Sequence, residues 1–330
     1  MKDPAVAGCV PYKLMSPSDQ IFSYVLYLNS LVRIFVNYHR TYSNFFSMLL
    51  QIIRKKHPID AILRNGKHVK LYDRRELFSF DFAQQDIEFD LDNDAVTIHL
   101  LHYVGEKKTK IKLYGARKNG DAYIDVFLKE EYQFLPVKGR TVIDIGANVG
   151  DSSIYFALRG ADKVIALEPL HAVYKIAKKN IEINNLSDKI TLLLAGCSAH
   201  TDYLVLPNES DISAYPYQFS PENRVPLVTL ENILKENNVP NGAILKMDCE
   251  GYEYDIILQA PSDTLRRFSY IQIEYHSGYK NLKRKLEECN FSVSLSRPRA
   301  WFPFSYQETM VTKYPKQKWQ YLGYIYAKRN

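Results

Sequence analysis

The sequence predicts an α/β fold built on a doubly wound, mostly parallel sheet, and two observations predict it. The first is an apolar strand at residues 142–145 that runs into a glycine-containing loop and then into a helical pattern. The second is the regular alternation of short apolar runs with helical patterns from residue 141 onward. Such alternation indicates parallel strands joined by right-handed crossovers. We therefore expect ligands to bind beyond the carboxyl ends of these strands.

The elements of this section follow in order from the pattern of apolar residues, glycines and prolines. A helix begins directly after Gly150, and a looser stretch with Pro and Ser runs up to Pro226. We predict further strands at residues 164–167, 190–195, 243–247, 270–273 and a last one at 291–295, and helices at residues 171–184, 230–236, 254–258 and 279–288.

Residues 1–60 are predicted to form an N-terminal helical arm. The segment from Ile21 to Val32 is uncharged, but twelve residues are too few to span a bilayer as a helix. Two interpretations stay open. The arm either docks on the main domain or on a second copy in a homo-oligomer, or residues 21–56 form an interfacial helix in peripheral contact with a membrane.

Residues 61–135 are predicted to form a small β-rich section, and residues 136–330 the main domain. Asn65-Gly66 and Asn119-Gly120 are strong hairpin signals, the second followed by the β-forming residues Tyr123 and Ile124. Alternating apolar and polar residues at 95–100 and 110–114 predict further antiparallel strands.

Composition limits the classes of function. The chain has 330 residues, of which 46% are hydrophobic, enough for one large domain with an appendage. Its net charge of +6 is spread along the chain without a basic stripe, which argues against a nucleic-acid partner. The four cysteines show no C-x-x-C spacing, and the N-terminus lacks the pattern of a secretion signal. We therefore expect a cytoplasmic protein.

The loop after the first strand indicates which kind of cofactor the main domain binds. Its pattern is D-x-G-x-x-x-G, with Asp144, Gly146 and Gly150, whereas a dinucleotide site requires G-x-G-x-x-G. Asn148 replaces the second glycine, and Asp144 would repel a pyrophosphate. Glu168 ends the next strand, where an acid accepts hydrogen bonds from ribose hydroxyls. A cationic adenosine cofactor without phosphate, S-adenosylmethionine, fits this pattern.

Ionisable residues gather at the carboxyl ends of the predicted strands. Because parallel strands end at the same edge of a sheet, these side chains are expected to share one rim. Acids buried together raise one another's pKa values, as a site that handles protons requires. The residues are Asp144, Glu168, Asp248, Glu250, Glu274 and His276.

The chain resembles the FkbM-type methyltransferases, a family of class I S-adenosylmethionine-dependent enzymes. The segments that carry the resemblance read VIDIGANVGD at 142–151, TLENIL at 229–234, LKMDCEGYE at 245–253 and IEYH at 273–276. One departure is Cys249, where an aliphatic residue is usual. The resemblance implies a Rossmann-like domain that methylates hydroxyl oxygens of sugars or polyketides, with S-adenosylmethionine as cofactor and a small-molecule or glycan acceptor.

This reading gives each rim residue an expected role. His276 is ranked first and Asp248 second as the general base that takes the acceptor's proton. Adjacent acids at a strand end such as Asp248 and Glu250 can hold a divalent metal, and this alternative stays open, but no metal ligands are assigned, because Glu250 can equally serve only to fix the turn at Gly251. The cofactor-binding residues are expected to be Gly146 and Gly150 at the methionine and ribose, Asp144 ordering the loop or meeting the ammonium, Asn148 at the cofactor, Glu168 at the ribose, and Ala195 and Gly196 near the adenine.

Two other functions stay open on the sequence alone. One is a nicotinamide-dependent oxidoreductase, and the other is a non-catalytic binding module on the same fold. The irregular segments 203–226 and 297–315, the latter with Trp301, Phe302 and Phe304, are expected walls of the acceptor pocket or a cover for the sheet.

Overall fold

The computed structural model divides the chain into two compact units, Tyr24–Glu130 and Glu131–Asn330, the second together with the segment before Tyr24. The predicted domain boundaries at residues 60 and 135 stay predictions. Among the described helices, none is both long and apolar enough to cross a membrane. The described residues are 16–54, 56, 58–71, 87–90, 92–100, 109–116, 123–207, 219–276, 278–300 and 321–330.

The N-terminal helices and a hairpin form the first part of the unit Tyr24–Glu130. Helix α1 (Pro17–Thr41) is followed by α2 (Phe45–Ile53), and strands β1 (Ile59–Ile62) and β2 (His68–Leu71) pair antiparallel. The turn between the strands contains Asn65 and Gly66, and Gly66 adopts a φ of +84°, which glycine tolerates without strain. The first predicted hairpin is therefore confirmed.

A second antiparallel sheet follows, with β4 between the strands β3 and β5. Its strands are β3 (Ile87–Asp90), β4 (Ala95–Leu100) and β5 (Thr109–Tyr114). Asn119-Gly120 lies outside the described residues. The β-strand expected at Tyr123 and Ile124 is wrong, because Ile124–Leu128 is a π-helical turn. Tyr123, Ile124, Val126 and Phe127 are all buried, and this spacing places side chains on one helical face rather than on alternate faces of a strand.

The helical arm has one buried face and one exposed apolar face. Tyr38, Tyr42, Phe45 and Met48 pack with residues of the β1–β2 hairpin in a small core. On α1, apolar residues recur at helical spacing but remain 40–65% exposed to solvent. These exposed residues are Ile21, Tyr24, Val25, Leu28, Val32, Phe35 and Val36.

The second unit contains the large sheet predicted from the sequence. The sheet strands are β6 (Thr141–Ile145), β7 (Lys163–Leu167), β8 (Ile190–Leu193), β12 (Ala243–Met247), β13 (Phe268–Tyr275), β14 (Phe291–Leu295), β15 (Arg299–Ala300) and β16 (Tyr321–Arg329). The helices are α3 (Asp151–Leu158), α4 (His171–Ile183), α5 (Leu230–Glu236), α6 (Glu253–Gln259), α7 (Ser262–Leu265) and α8 (Lys280–Glu288). The strands on the main path of the sheet run in the order β14-β16-β13-β12-β6-β7-β8, and the short β15 pairs with β16.

The order of this sheet reverses between β6 and β12, and that reversal positions the site. From β6 the chain winds outward through β7 and β8, whereas from β12 it winds the other way through β13. All of these neighbours pair in parallel, so the crossovers lie on opposite faces of the sheet. The predicted α/β fold with a doubly wound, mostly parallel sheet is confirmed, and the ligand crevice is expected between β6 and β12.

Two expectations about the strands are wrong. The last strand of the sheet is β16 rather than the segment near residue 295, and it inserts antiparallel between β13 and β14. The stretch expected to be loose up to Pro226 contains β10 (Asp202–Pro207) and β11 (Phe219–Val228), which pair antiparallel. β11 also pairs in parallel with β9 (Gly196–Cys197). The strands β9, β10 and β11 are therefore ordered by backbone hydrogen bonds and do not form an irregular loop.

Candidate active site

The loop between β6 and α3 is held against the ends of two neighbouring strands. The amide groups of Gly146 and Ala147 both donate to the carbonyl oxygen of Leu167, at 3.1 and 2.9 Å. Gly146 has a φ of +80°, and a Cβ atom there would lie 1.7 Å from the carbonyl oxygen of Asp248. The loop therefore approaches the end of β12 as closely as only glycine allows.

The fully buried carboxylate of Asp144 connects this loop to the start of α3 and to β12. Its Oδ2 atom accepts hydrogen bonds from the hydroxyls of Ser152 and Ser153 at 2.7 and 2.6 Å. Its Oδ1 atom lies 3.0 Å from Nζ of Lys246, which also donates to the carbonyl oxygen of Gly146 at 2.6 Å. Of the two expected roles of Asp144, this geometry fits the ordering of the loop, because both carboxylate oxygens already have partners.

Lys246 is a site residue that our sequence reasoning did not identify. Burial lowers the pKa of its ammonium group, but the negative charges of Asp144 and Asp248 outweigh burial and raise the pKa above the ordinary value. The side chain therefore stays charged although it is 3% exposed. The signal in the sequence was a single charged residue inside the otherwise apolar strand β12.

Glu168 follows β7 and faces the loop. Its Oε2 atom accepts the backbone N–H of Asn148 at 3.1 Å, and its Oε1 atom accepts the backbone N–H of Leu170 at 2.9 Å. Burial raises the pKa of Glu168 to about 7, against the lowering effect of these two hydrogen bonds. A carboxylate has about four lone-pair positions, so acceptor capacity remains on both oxygens.

The residues expected near the adenine lie at the end of the next strand. Ala195 is buried in the main core, and Gly196 lies in β9, where a Cβ atom would come within 2.6 Å of Cδ2 of Leu227. Packing of β9 on β11 therefore already explains the glycine. The backbone N–H of Glu168 donates to the carbonyl oxygen of Leu193 at 3.1 Å, which brings the end of β8 beside Glu168. An adenine contact at Ala195 and Gly196 stays a prediction.

The second group of ionisable residues surrounds His276 at the ends of β12 and β13. The imidazole Nδ1 lies 3.2 Å from Oε1 of Glu253, which is fully buried. The imidazole Nε2 lies 3.7 Å from Oδ1 of Asp248 and 3.8 Å from Oε2 of Glu250. Glu253 was not among the predicted site residues, although it stands in the conspicuously acidic segment that begins at Asp248.

The charges around His276 shift its pKa and those of its neighbours. Burial lowers the pKa of His276, but the charge and hydrogen bond of Glu253, with further charge from Glu250 and Glu274, raise it well above the ordinary value. Burial, together with the charge of Asp248, raises the pKa of Glu274 well above its usual range. These carboxylates therefore favour the protonated form of His276.

The structure brings the predicted site residues into two neighbouring groups. One is the loop with Glu168, and the other is the cluster around His276. Their closest connection is the contact of Gly146 with the backbone of Asp248, where the Asp248 N–H also donates to the carbonyl oxygen of Ile145 at 3.1 Å. Trp301, Phe302 and Phe304, expected at the acceptor pocket, lie outside the described residues.

Comparison with known proteins places this site inside a recognised domain. Residues 144–293 match the family model described as the methyltransferase FkbM domain. A ribosomal protein L11 methyltransferase of Carboxydothermus hydrogenoformans is 39% identical over 71 residues, covering 20% of this chain and 23% of the relative. Protein arginine N-methyltransferase 1 of Saccharomyces cerevisiae is 39% identical over 56 residues, covering 17% of this chain and 16% of the relative. The chain thus spans less than a quarter of the length of either relative.

A search of solved structures gives matches of low identity. The crystal structure of precorrin-6y C5,15-methyltransferase from Geobacter metallireducens is 15% identical with a TM-score of 0.35. That match covers 62% of this chain and 89% of the other.

Proposed function

We propose that the chain, whose residues 144–293 match the methyltransferase FkbM domain model, is an S-adenosylmethionine-dependent O-methyltransferase acting on a hydroxyl of a carbohydrate or related polyol. The observation that carries this proposal is that the matched segment folds with Glu168 against the Gly146–Gly150 loop at the reversal of the sheet. Ligands bind at such reversals in doubly wound sheets.

The donor groups at the loop suit the adenosine part of the cofactor. Glu168 keeps acceptor capacity on both carboxylate oxygens, which a ribose diol requires. Asn148 adopts a φ of +47° and directs its backbone N–H to Glu168, so the acid is fixed before a ligand arrives. The loop itself is held by the buried pair of Asp144 and Lys246.

The cluster around His276 suits the acceptor end. A methyl sulfonium supplies an electrophilic carbon, so the protein's own tasks are to align the acceptor hydroxyl and to receive its proton. The surrounding carboxylates favour the protonated form of His276, and a protonated imidazole cannot accept a proton. We therefore place Asp248, whose side chain is 32% exposed, first as general base and His276 second, the reverse of the order expected from the sequence.

The charge of Asp144 does not by itself exclude a nicotinamide cofactor. The negative charge of Asp144 was expected to repel a pyrophosphate, but the buried ammonium of Lys246 compensates that charge. The missing second glycine of the dinucleotide fingerprint, at Asn148, still separates the two cofactors. NAD is therefore the proper competitor in a binding test.

Calorimetric titration of the full chain with S-adenosylmethionine, S-adenosylhomocysteine and NAD tests the cofactor. We expect the first two to bind and NAD not to bind. Glu168→Gln should weaken binding of both adenosyl compounds by about 10–100-fold, since hydrogen bonds to a charged group contribute about 1.5–3 kcal/mol. The matched control is Glu182→Gln, an exposed acid on α4, which should bind as the wild type does. Absence of binding of both adenosyl compounds at millimolar concentration would overturn the proposal.

Transfer of a labelled methyl group tests the acceptor class. The donor is incubated with panels of polyols, oligosaccharides, peptides and RNA. We expect label on a hydroxyl oxygen of a carbohydrate, and Asp248→Asn should lower the rate by about 10²–10⁴-fold while leaving donor affinity unchanged. Label confined to nitrogen or carbon atoms of the other panels would refute the hydroxyl assignment.

A further inference from the structure

Three side chains at the ends of adjacent parallel strands converge on one point. Asp248 follows β12, and Glu274 and His276 lie at the end of β13. Each offers one ligand atom, and these atoms all lie within 4.8 Å of one another. Ligands of one first-row metal ion stand about 3–4 Å apart, as follows from ion–ligand distances of about 2.0–2.2 Å. Small side-chain rotations would therefore bring the three groups around one ion.

The orientation of His276 is an independent observation that points to a ligand. Its side chain is 9% exposed, and Nδ1 lies 3.2 Å from Oε1 of the fully buried Glu253. The two oxygens of Glu253 also accept the backbone N–H groups of Cys249 and Gly251, both at 2.9 Å, so this carboxylate is fixed in place. An imidazole that donates Nδ1–H to a fixed carboxylate coordinates through Nε2, the arrangement found behind metal-bound histidines. A metal ion bound at Nε2 takes the place of the proton on that nitrogen.

The Nε2 atom of His276 points into the cluster, and no described residue lies within hydrogen-bonding distance of it. The nearest acidic oxygens lie at 3.7 Å on Asp248 and 3.8 Å on Glu250, beyond hydrogen-bonding distance. A buried ring nitrogen is thus aimed at a group of carboxylates that do not approach it closely. An ion between them would give each group a partner.

The charge of the cluster favours a cation. Four carboxylates, those of Asp248, Glu250, Glu253 and Glu274, surround a single imidazole. Within the described part of the chain, none of the four forms an ion pair with Lys or Arg, although the charge of Lys246, which is paired with Asp144, also acts on Asp248. Negative charge therefore exceeds positive charge at this point of the rim.

We propose that Asp248, Glu274 and His276 bind a divalent metal ion, with Glu253 as the carboxylate that orients His276. Two carboxylates and one imidazole suit a first-row ion such as Mn²⁺ better than Mg²⁺, which prefers an all-oxygen shell. The role of this ion rests on the proposed function. Bound beside the crevice, it would hold the acceptor hydroxyl and make it more acidic, while the second oxygen of Asp248 remains to accept the proton.

Manganese binding is measured on the full chain after chelation and desalting, without donor or acceptor. Mn²⁺ is titrated while the signal of the free ion is followed by electron paramagnetic resonance, and calorimetry gives the stoichiometry. We expect one ion per chain. Asp248→Asn, Glu274→Gln and His276→Gln should each weaken binding by at least 100-fold, and Glu253→Gln by about 10–100-fold. The control is Asp263→Asn, whose side chain is 95% exposed and which should bind as the wild type does.

Two further readouts separate the possible failures. Donor titration of each variant shows whether the chain is folded, and a variant counts only if it binds S-adenosylmethionine with wild-type affinity. Wild-type affinity for Mn²⁺ in folded Asp248→Asn and Glu274→Gln would overturn the metal site. Transfer unchanged in excess chelator, with no Mn²⁺ bound, would overturn it and leave the methyltransferase proposal standing. Specific Mn²⁺ binding by a wild-type chain that does not bind S-adenosylmethionine would overturn the methyltransferase proposal and leave the metal site standing.

Discussion

Removal of the Lys246 ammonium should loosen the loop that holds the proposed cofactor. In Lys246→Met the aliphatic stem is kept, but Asp144 loses the cation 3.0 Å away and Gly146 loses the donor to its carbonyl oxygen at 2.6 Å. Breaking a buried pair on one side costs about 3–5 kcal/mol. Because Asp144 keeps its bonds to Ser152 and Ser153, we expect the lower end, about 3 kcal/mol.

Hydrogen exchange measures this cost where it arises, without requiring the two units of the chain to unfold together. A loss of about 3 kcal/mol corresponds to about 100-fold faster exchange of peptides that contain β6 and β12, if these amides exchange by opening of the sheet. Donor affinity should fall as well, since the carbonyl of Gly146 is released. The double variant Lys246→Met/Asp144→Asn should exchange more slowly than the single one, because no unpaired charge remains in the core.

Lys178→Met on α4 is the matched control, because that side chain is 61% exposed and its pair with Glu182 is a surface pair. Such a change should alter stability by no more than about 0.5 kcal/mol. Two results would refute the reasoning: exchange of β6 and β12 in Lys246→Met at the rate of the control, or a double variant that is less protected than Lys246→Met.

Three further predictions follow from other residues. Because the pKa of Glu168 is raised from 4.5 to about 7, donor affinity should rise about tenfold from pH 6 to pH 8. The same shift means that the folded chain binds this proton more tightly than the unfolded chain, so the contribution of Glu168 to stability should fall as pH rises from 4.5 to 7. Both trends should vanish in Glu168→Gln, and a trend that persists in calorimetry or urea denaturation of this variant would contradict the assignment. Gly146→Ala should destabilise the chain and weaken donor binding much more than Gly242→Ala, which has a similar φ of +86° but nothing within 4 Å of the added Cβ; equal thermal shifts would contradict the close approach. The chain should co-sediment with vesicles that contain phosphatidylserine, and Leu28→Asp/Val32→Asp should abolish this binding because it removes the apolar character of the exposed face of α1. A wild-type dimer that becomes monomeric in the variant, without vesicle binding, would instead identify this face as an interface between copies.

The sequence predicts those parts of the fold that are coded within a few residues. The strand and loop at residues 142–150 and the acid at Glu168 are a local pattern, and α5 (Leu230–Glu236) has the predicted bounds because Thr229 and Asn232 form a capping box. Strand β16 was not predicted, although its segment contains apolar residues, Leu322, Ile325 and Ala327, that are buried in the structure. Its place between β13 and β14 depends on pairing with residues that are distant along the chain, which no local pattern encodes.

The site shows the same division between local and long-range information. All the predicted acids stand at strand ends, but which of them pair depends on register. Lys246 lies beside Asp144 because β12 pairs in parallel with β6 in a register that sets these two residues opposite each other. Likewise, three acids stand between residues 248 and 253, and only the fold shows that Glu253 is the one that contacts Nδ1 of His276.

These pairings divide the buried charge of the rim into two parts of different character. Asp144 has a buried ammonium and two hydroxyls as partners, so its charge is compensated within the protein and serves to fix the loop. Around His276, among the described residues, four carboxylates face one imidazole, and the only further positive charge that acts on them, Lys246, acts on Asp248. So much negative charge at a partly buried rim is costly in a purely structural role. It lies next to the crevice at the reversal of the sheet, which is why we place the acceptor chemistry there rather than at Asp144.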